Sequence, residues 1–244
     1  MKKLYEKSEI WFAVAWIIAY CVLLSVGDNI SASLGVINVA TFPIALLLSV
    51  VLFLFLKSNG LLERYGLCKS KVPTAKMLFY IPVLVMLTAN LWHGVGIYVS
   101  PSEAVCYVLT MLCVGFLEEV IFRGLLFNAM RKDGVKSAII VSSLTFGIGH
   151  IVNLFNGSGA ELLPNLLQVV YATAAGFMFV MIYYKTESLI VCIVAHGVFN
   201  ALSVFVNEVA VTDMMRILSC VFLIVVCGGY GAYIARGVRN EFIR

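Results

Sequence analysis

The chain has 244 residues, of which 62% are hydrophobic and only 12% are charged, with a formal net charge of +4. A soluble domain would carry about 25% charged and about 45–50% apolar residues. The composition therefore excludes a soluble globular protein and predicts an all-α polytopic membrane protein. Its positive charge requires no nucleic-acid partner, because basic loops fit an anionic bilayer surface.

Eight apolar segments have about the 20 residues that an α-helix needs to cross a ~30 Å hydrocarbon core. In chain order they lie at residues 10–27, 33–56, 77–99, 105–130, 137–154, 166–184, 189–206 and 214–235. No interval between them is long enough to fold alone, so we expect one integral membrane domain over residues 1–244. The first segment is expected to be retained as a helix, because no small-x-small cleavage site directly follows it.

The basic residues predict the orientation of these spans. Fifteen of the 17 Lys and Arg residues lie at the termini and in alternate loops, at positions 2–7, 57–76, 131–136, 185 and 236–244. The other loops hold Arg216 together with acidic residues such as Asp28, Glu103 and Glu208. Because Lys and Arg accumulate in cytoplasmic loops, we expect both termini in the cytoplasm. The compact loops favour a bacterial plasma membrane.

The fourth span contains three charged residues, Glu118, Glu119 and Arg123. A charged side chain at mid-bilayer costs about 2.5–3.5 kcal/mol on insertion scales, so such a group indicates a functional site. Glu119 and Arg123 are four residues apart and should face each other on a helix. Glu118 is turned about 100° away and is expected to lack that partner, which leaves its carboxylate available as a general base.

The fifth and seventh spans each add two residues on one helical face, Phe146 with His150 and His196 with Asn200. Counted from the inner loop, Glu118 and His150 both lie roughly 20 Å into the membrane at 1.5 Å per residue. The two groups can therefore meet at one level. His196 and Asn200 can donate hydrogen bonds to a developing oxyanion, or the imidazole can bind a metal.

Two further kinds of residue have a simpler interpretation. His93, near the outer end of the third span, is expected to form a structural hydrogen bond between helices. The seven cysteines contain no CxxC pair, so the sequence predicts neither a disulfide framework nor a zinc ribbon.

The ordered polar motifs resemble those of the CAAX-protease and bacteriocin-processing (CPBP) family of intramembrane endopeptidases. The similarity covers about residues 105–205. Each motif alone is weak, but the ordered set on membrane helices is specific. The matching motifs are Glu118-Glu119-x-x-x-Arg123, Phe146-x-x-x-His150 and His196-x-x-x-Asn200.

The resemblance implies that Glu118 and His150 activate a water molecule for attack on a peptide carbonyl. His196 and Asn200 would stabilise the oxyanion. Supporting roles then fall to Glu119, Arg123 and Phe146.

The metal requirement stays open between two alternatives. Zinc could be bound by Glu118, His150 and His196, but the chain has no His-Glu-x-x-His sequence. Pairing of Glu119 with Arg123 would also remove one ligand. We therefore favour hydrolysis without a cofactor and keep zinc as the alternative.

The expected function is cleavage of a peptide precursor or membrane-associated protein near the cytoplasmic half or the middle of the bilayer. The alternative is a non-proteolytic membrane scaffold, for example an immunity or sensor-modulating protein. A proton-coupled transporter is a third possibility, since intramembrane carboxylates and histidines also form proton relays. The expected partners are the substrate and the lipid bilayer, while the sequence leaves substrate identity and oligomeric state open.

Overall fold

The computed structural model describes residues 1–207 and 209–237, and within those ranges it is an all-helical bundle. Arg239, Arg244 and Glu208, which contribute to the predicted orientation, lie outside the described residues. The α-helices are α1 (Lys2–Lys7), α2 (Glu9–Leu34), α3 (Thr41–Ser58), α4 (Ile81–Leu87), α5 (Pro101–Glu118), α6 (Asn128–Met130), α7 (Val135–Gly149), α8 (Leu162–Thr186), α9 (Ile190–Leu202) and α10 (Asp213–Gly237). A π-helical segment, Glu119–Phe127, joins α5 to α6, and 3-10 turns occupy Thr74–Tyr80, Ala89–Leu91, His150–Leu154 and Ser203–Phe205.

Seven of the described helical stretches are long and apolar enough to cross a membrane. The all-α polytopic fold predicted from composition is therefore confirmed, and the protein is an integral membrane protein. The remaining expected span is the shorter apolar helix Ile190–Phe205. A helix of at most 17 residues rises about 25 Å, less than the ~30 Å hydrocarbon core. The seven longer stretches are Glu9–Leu34, Thr41–Ser58, Thr74–Leu91, Pro101–Met130, Val135–Leu154, Leu162–Thr186 and Asp213–Gly237.

The first three predicted spans differ most from the structure: the first, expected to end at Gly27, continues to Leu34. The second begins at Thr41, because α2 continues to Leu34 and ends at Gly35, whose φ of 65° forms a left-handed C-cap. The third is expected at residues 77–99, but three consecutive residues with positive φ, Leu78–Tyr80, interrupt it near its start. It then ends at Leu91.

The bundle has two chemically different ends. We call the end with the N-terminus and the loops at residues 59–73 and 131–134 the basic end. The opposite end, with the loops at residues 35–40, 92–100 and 155–161 and with residues 206–207 and 209–212, is the far end. At the basic end Glu9 forms ion pairs with Arg64 at 2.5 Å and Lys132 at 3.0 Å. These contacts connect the start of α2 to both loops.

A contact between two glycines holds α5 against α9. A Cβ atom on Gly115 would lie 2.5 Å from the backbone nitrogen of Gly197, closer than real Cβ contacts allow. Gly115 and Gly197 therefore permit the two backbones to touch, as small residues do between membrane helices. The contact lies beside Glu118 on α5 and His196 on α9, so it brings the polar residues of the two helices together.

Candidate active site

The two adjacent glutamates lie where α5 changes into the π-helical segment. Glu118 is the last residue of α5, and Glu119 is the first of the nine π-helical residues, all of which are buried. Glu118 is 8% exposed and Glu119 is fully buried. Short π-helical turns are rare and frequently occur at functional sites. The helical irregularity thus places two carboxylates inside the bundle.

Glu119 and Arg123 form the ion pair that their four-residue spacing predicts. Nη1 of Arg123 lies 3.1 Å from Oε1 of Glu119, and both side chains are fully buried. The guanidinium also covers the Phe146 ring, with Cζ 4.0 Å from the ring centroid, which is a cation–π contact. Gly176 on α8 leaves room for it, since a Cβ there would lie 3.1 Å from Nη2. A carboxylate and an aromatic face therefore compensate the buried positive charge.

His196 lies between the two glutamates. Its Nδ1 is 2.8 Å from Oε1 of Glu119, and its Nε2 is 3.3 Å from Oε2 of Glu118. Because a carboxylate accepts, Nδ1 carries a proton and donates it to Glu119. This bond fixes the orientation of the ring, which stacks on Phe179 at 5.8 Å between centroids. The other ring nitrogen is then directed at Glu118.

Among the described residues Glu118 lacks the arginine partner of Glu119, as expected, but its carboxylate is bound by a tyrosine on another helix. The Tyr20 hydroxyl on α2 donates a hydrogen bond of 2.5 Å to Oε1 of Glu118. Oε2 accepts no hydrogen bond within the described residues and lies near His196. One carboxylate oxygen is thus held and the other is available for chemistry. Sequence reasoning missed Tyr20, because one tyrosine in an apolar helix carries no local pattern. Its only signal is a polar group near the middle of α2.

His150 has a defined tautomer in the structure. Its Nδ1 is 3.0 Å from the carbonyl oxygen of Phe146, and because a carbonyl only accepts, Nδ1 is the protonated nitrogen. Nε2 therefore keeps a lone pair that can accept a proton. Asn165 on α8 donates a 2.8 Å hydrogen bond to the His150 carbonyl, which secures the turn that ends α7. The Phe146 ring lies between the two imidazoles, with its centroid 5.1 Å from that of His150 and 5.5 Å from that of His196.

These side chains meet at a cavity of about 650 Å³. Glu118, His150 and Asn200 all line it. His196 lines a small adjoining cavity together with His150 and Asn200. The structure therefore brings together the four residues expected to be catalytic. Within the described residues, the fully buried pair of Glu119 and Arg123 lies behind them.

The polar side chains form a continuous series through the core, from Arg123 through Glu119, His196 and Glu118 to Tyr20. A buried arginine fixes one glutamate, that glutamate orients a histidine, and the histidine faces a second glutamate beside the cavity. Such an arrangement can hold a carboxylate as a general base and can exchange a proton with an adjacent imidazole.

The side-chain arrangement does not favour the zinc alternative. Among the described residues, no group of three or more His, Cys, Asp or Glu side chains could hold a metal ion. The hydrogen bonds of the site do not decide the question, because they engage one oxygen of Glu118 and Nδ1 of both site histidines and leave the other oxygen and both Nε2 atoms available. The reaction considered below therefore has no step through a metal.

His93 lies apart from this site, as expected. Its Nε2 is 2.7 Å from the Ser219 hydroxyl on α10, so it connects the loop after the third span to the last helix. All seven cysteines are free, and Cys21 lines the large cavity beside Tyr20.

Comparison with known proteins agrees with the ordered motifs. Residues 100–202 match the family model described as Type II CAAX prenyl endopeptidase Rce1-like. The Rce1-like region contains all the motif residues from Glu118 to Asn200, whereas Tyr20 precedes it. The resemblance inferred from the sequence is thus confirmed, while the individual catalytic roles stay predictions.

A curated relative points in the same direction. A Bacillus subtilis (strain 168) protein named "Putative membrane peptidase YdiL" is 31% identical to the chain over 116 residues. That alignment covers 44% of this chain and 42% of the relative, so the chain matches only about two fifths of the relative's length. No solved structure matches the chain.

Proposed function

We propose that the protein is an intramembrane endopeptidase that hydrolyses a peptide bond with a water molecule activated by Glu118. One observation carries the proposal: the Glu118 carboxylate lies at a cavity inside the bundle, held by Tyr20 on one oxygen and facing His196 with the other. The match of residues 100–202 to the Rce1-like family model supports the same activity. A structural ion pair alone would not require a cavity at the second glutamate.

The first step is attack of water on the peptide carbonyl carbon. Glu118 takes a proton from the water as the oxygen–carbon bond forms. Nε2 of His150, whose lone pair is available because Nδ1 bonds to the Phe146 carbonyl, accepts a hydrogen bond from the same water and orients it. Bringing water, base and carbonyl together in one cavity removes much of the entropic barrier to the reaction.

The second step is collapse of the tetrahedral intermediate. Asn200 makes no side-chain hydrogen bond within the described residues and lines the cavity, so its carboxamide can donate to the oxyanion. His196 was expected to join Asn200 at the oxyanion, but its Nε2 lies 3.3 Å from Glu118, so we assign it instead to sharing with Glu118 the proton taken from water. That proton is delivered to the nitrogen of the scissile bond as the carbon–nitrogen bond breaks. The products are a carboxylic acid and an amine.

Glu119 and Arg123 act through His196 rather than on the substrate. The bond from Nδ1 of His196 to Glu119 orients the ring, and the ion pair with Arg123 holds that carboxylate in place. A buried acidic side chain that orients a catalytic histidine is a recurring arrangement in hydrolases. Phe146 separates the two imidazoles and covers the guanidinium.

Two substitutions test the proposal. We expect Glu118→Gln and His150→Ala to reduce cleavage in isolated membranes by about 10²–10⁴-fold, the usual contribution of an acid–base group. Both variants should insert at wild-type levels, since neither changes an apolar surface. Full cleavage by either variant would overturn the proposal. A phenotype that is independent of Glu118 would favour the scaffold alternative.

A further inference from the structure

The cavity at Glu118 extends towards the far end of the bundle. Along α2 its wall runs from Tyr20 through Ser25 to Asp28. It then reaches residues 35–38 and 156–158, two loops that are largely exposed. Its volume of about 650 Å³ lies within the roughly 300–1,000 Å³ of typical ligand pockets. It can therefore accept a short segment of chain but not a folded domain.

Towards the basic end, closely packed side chains lie beneath the site. Val120, Ile121 and Phe127 of the π-helical segment are fully buried. Tyr65 from the basic-end loop is 1% exposed. It packs on Gly124, because a Cβ atom added to Gly124 would lie 3.6 Å from the Cβ atom of Tyr65. None of the cavity-lining residues comes from the basic-end loops. The described residues thus provide a path to Glu118 from the far end and a packed core on the other side.

The far-end mouth is held open by specific contacts. Asp28 accepts hydrogen bonds from the Thr41 hydroxyl at 2.7 Å and from the Asn156 side chain at 3.0 Å. The backbone nitrogen of Ile37 donates to Glu103 at 3.2 Å. These bonds connect both mouth loops to the ends of α2, α3 and α5. The opening is therefore a formed feature of the fold.

The cavity wall suits an extended peptide without acidic side chains. Among the described residues that line the cavity, Asp28 and Glu118 are acidic, and none is Lys or Arg. Side-chain amides such as Asn153, Gln168 and Asn200 also line it. Inside a membrane, an extended backbone needs partners for its N–H and C=O groups, and amides provide both donors and acceptors.

We infer that the substrate is an extended neutral or basic peptide segment that reaches Glu118 from the far end, which the positive-inside bias places outside the cell. This inference about the substrate rests on the proposed endopeptidase activity. It adds delivery from the extracytoplasmic face to the expectation of cleavage near the cytoplasmic half or the middle of the bilayer. Segments of this kind include the outer juxtamembrane parts of membrane proteins and peptides released on that side.

Thiol accessibility tests the direction of entry without requiring catalysis. Ser25→Cys places a thiol on the cavity wall, and Lys69→Cys places one in the exposed part of the basic-end loop. Intact cells are treated with a membrane-impermeant cationic methanethiosulfonate, and mass spectrometry locates each modified cysteine, including the native ones. We expect labelling of Ser25→Cys in intact cells and of Lys69→Cys only after permeabilisation. Labelling of Lys69→Cys alone, or no labelling of Ser25→Cys in either preparation, would overturn the inference.

Reagents of opposite charge test the predicted substrate class. After normalisation to free cysteine, we expect Ser25→Cys to react about fivefold faster with the cationic reagent than with the anionic sulfonate, because two carboxylates line the cavity. Asp28→Asn should reduce this ratio. The control is the neutral reagent methyl methanethiosulfonate. If it modifies Ser25→Cys at the same rate with and without Asp28→Asn, the mouth of the cavity is intact in the Asp28→Asn variant. Equal normalised rates for both charged reagents would contradict the preference for non-acidic segments.

The two proposals can fail separately. Glu118→Gln should leave the labelling pattern of Ser25→Cys unchanged while it removes cleavage. Labelling from the far end together with cleavage by Glu118→Gln would refute the proposed function and preserve the inference about access. Loss of far-end labelling, together with cleavage that still depends on Glu118, would refute the inference about access and preserve the proposed function.

Discussion

Tyr20 and Glu118, 98 residues apart in the chain, are joined by a hydrogen bond of 2.5 Å in the bundle interior. Tyr20 lies on α2, outside the Rce1-like region, whereas Glu118 lies within it. The first long helix therefore completes the candidate site. It also supplies much of the cavity wall, so residues 100–202 alone would lack both features.

Removal of the Tyr20 hydroxyl should impair catalysis more than folding. A hydrogen bond to a charged group contributes about 1.5–3 kcal/mol. We therefore expect Tyr20→Phe to lower the cleavage rate by roughly 10- to 100-fold. The measurement is cleavage in membranes at matched protein levels. Tyr98→Phe is the matched control, because the Tyr98 hydroxyl bonds to Asn207 at the exposed far end. Equal activity of both variants would show that Tyr20 is dispensable.

The contact between Gly115 and Gly197 should be intolerant of a methyl group. A Cβ at Gly115 would force α9 away from α5, and overpacking of this kind costs about 1–3 kcal/mol. We expect Gly115→Ala to lower the unfolding midpoint in detergent and to reduce cleavage, because His196 moves relative to Glu118. Gly229→Ala on α10 is the control, since nothing lies within 4 Å of its Cβ position. Similar behaviour of the two variants would contradict this account of the helix contact.

The buried ion pair should show strong coupling between its members. Arg123→Met leaves the fully buried Glu119 without its cation, and breaking a buried pair in this way costs about 3–5 kcal/mol. The double variant Glu119→Gln/Arg123→Met removes both charges, while Gln can still accept a hydrogen bond from His196. We expect it to recover part of the lost free energy of unfolding. Additive losses in equilibrium unfolding would show that the two residues do not stabilise each other.

Proteolysis should be insensitive to chelators. Among the described residues, no three metal-ligating side chains form a group that could hold a metal ion. We expect purified protein to keep full activity in EDTA or phenanthroline and to contain less than stoichiometric zinc by elemental analysis. Loss of activity that zinc restores would instead assign Glu118, His150 and His196 as ligands.

The sequence contained the local half of the site. Charges inside an apolar helix identified Glu118, Glu119 and Arg123. The four-residue spacing of Glu119 and Arg123 correctly predicted the ion pair between them. Helical periodicity also grouped His150 and His196 with their neighbours, since residues four apart share a face. The orientation of His196 between both glutamates could not be read in this way, because it depends on the close contact of α5 with α9.

The remaining features depend on tertiary packing. Tyr20 meets Glu118 only because α2 packs against the junction of α5 with the π-helical segment. That segment has no sequence signature that distinguishes it from an α-helix. The left-handed residues Leu78–Tyr80, which interrupt the third span, are equally invisible to hydropathy. The direction of the cavity follows from which ends of the helices separate, a property of the whole bundle.

Comparative peptidomics shows whether Glu118 is required for proteolysis in cells. Membranes and culture medium are compared from cells expressing wild type, Glu118→Gln or Glu161→Gln at matched levels. Glu161→Gln is the same chemical change at an exposed position before α8. We expect a peptide that is present with wild type and Glu161→Gln and absent with Glu118→Gln, and its new terminus marks the cut site. Peptide profiles identical across all three, with a phenotype that survives Glu118→Gln, would contradict this requirement for Glu118.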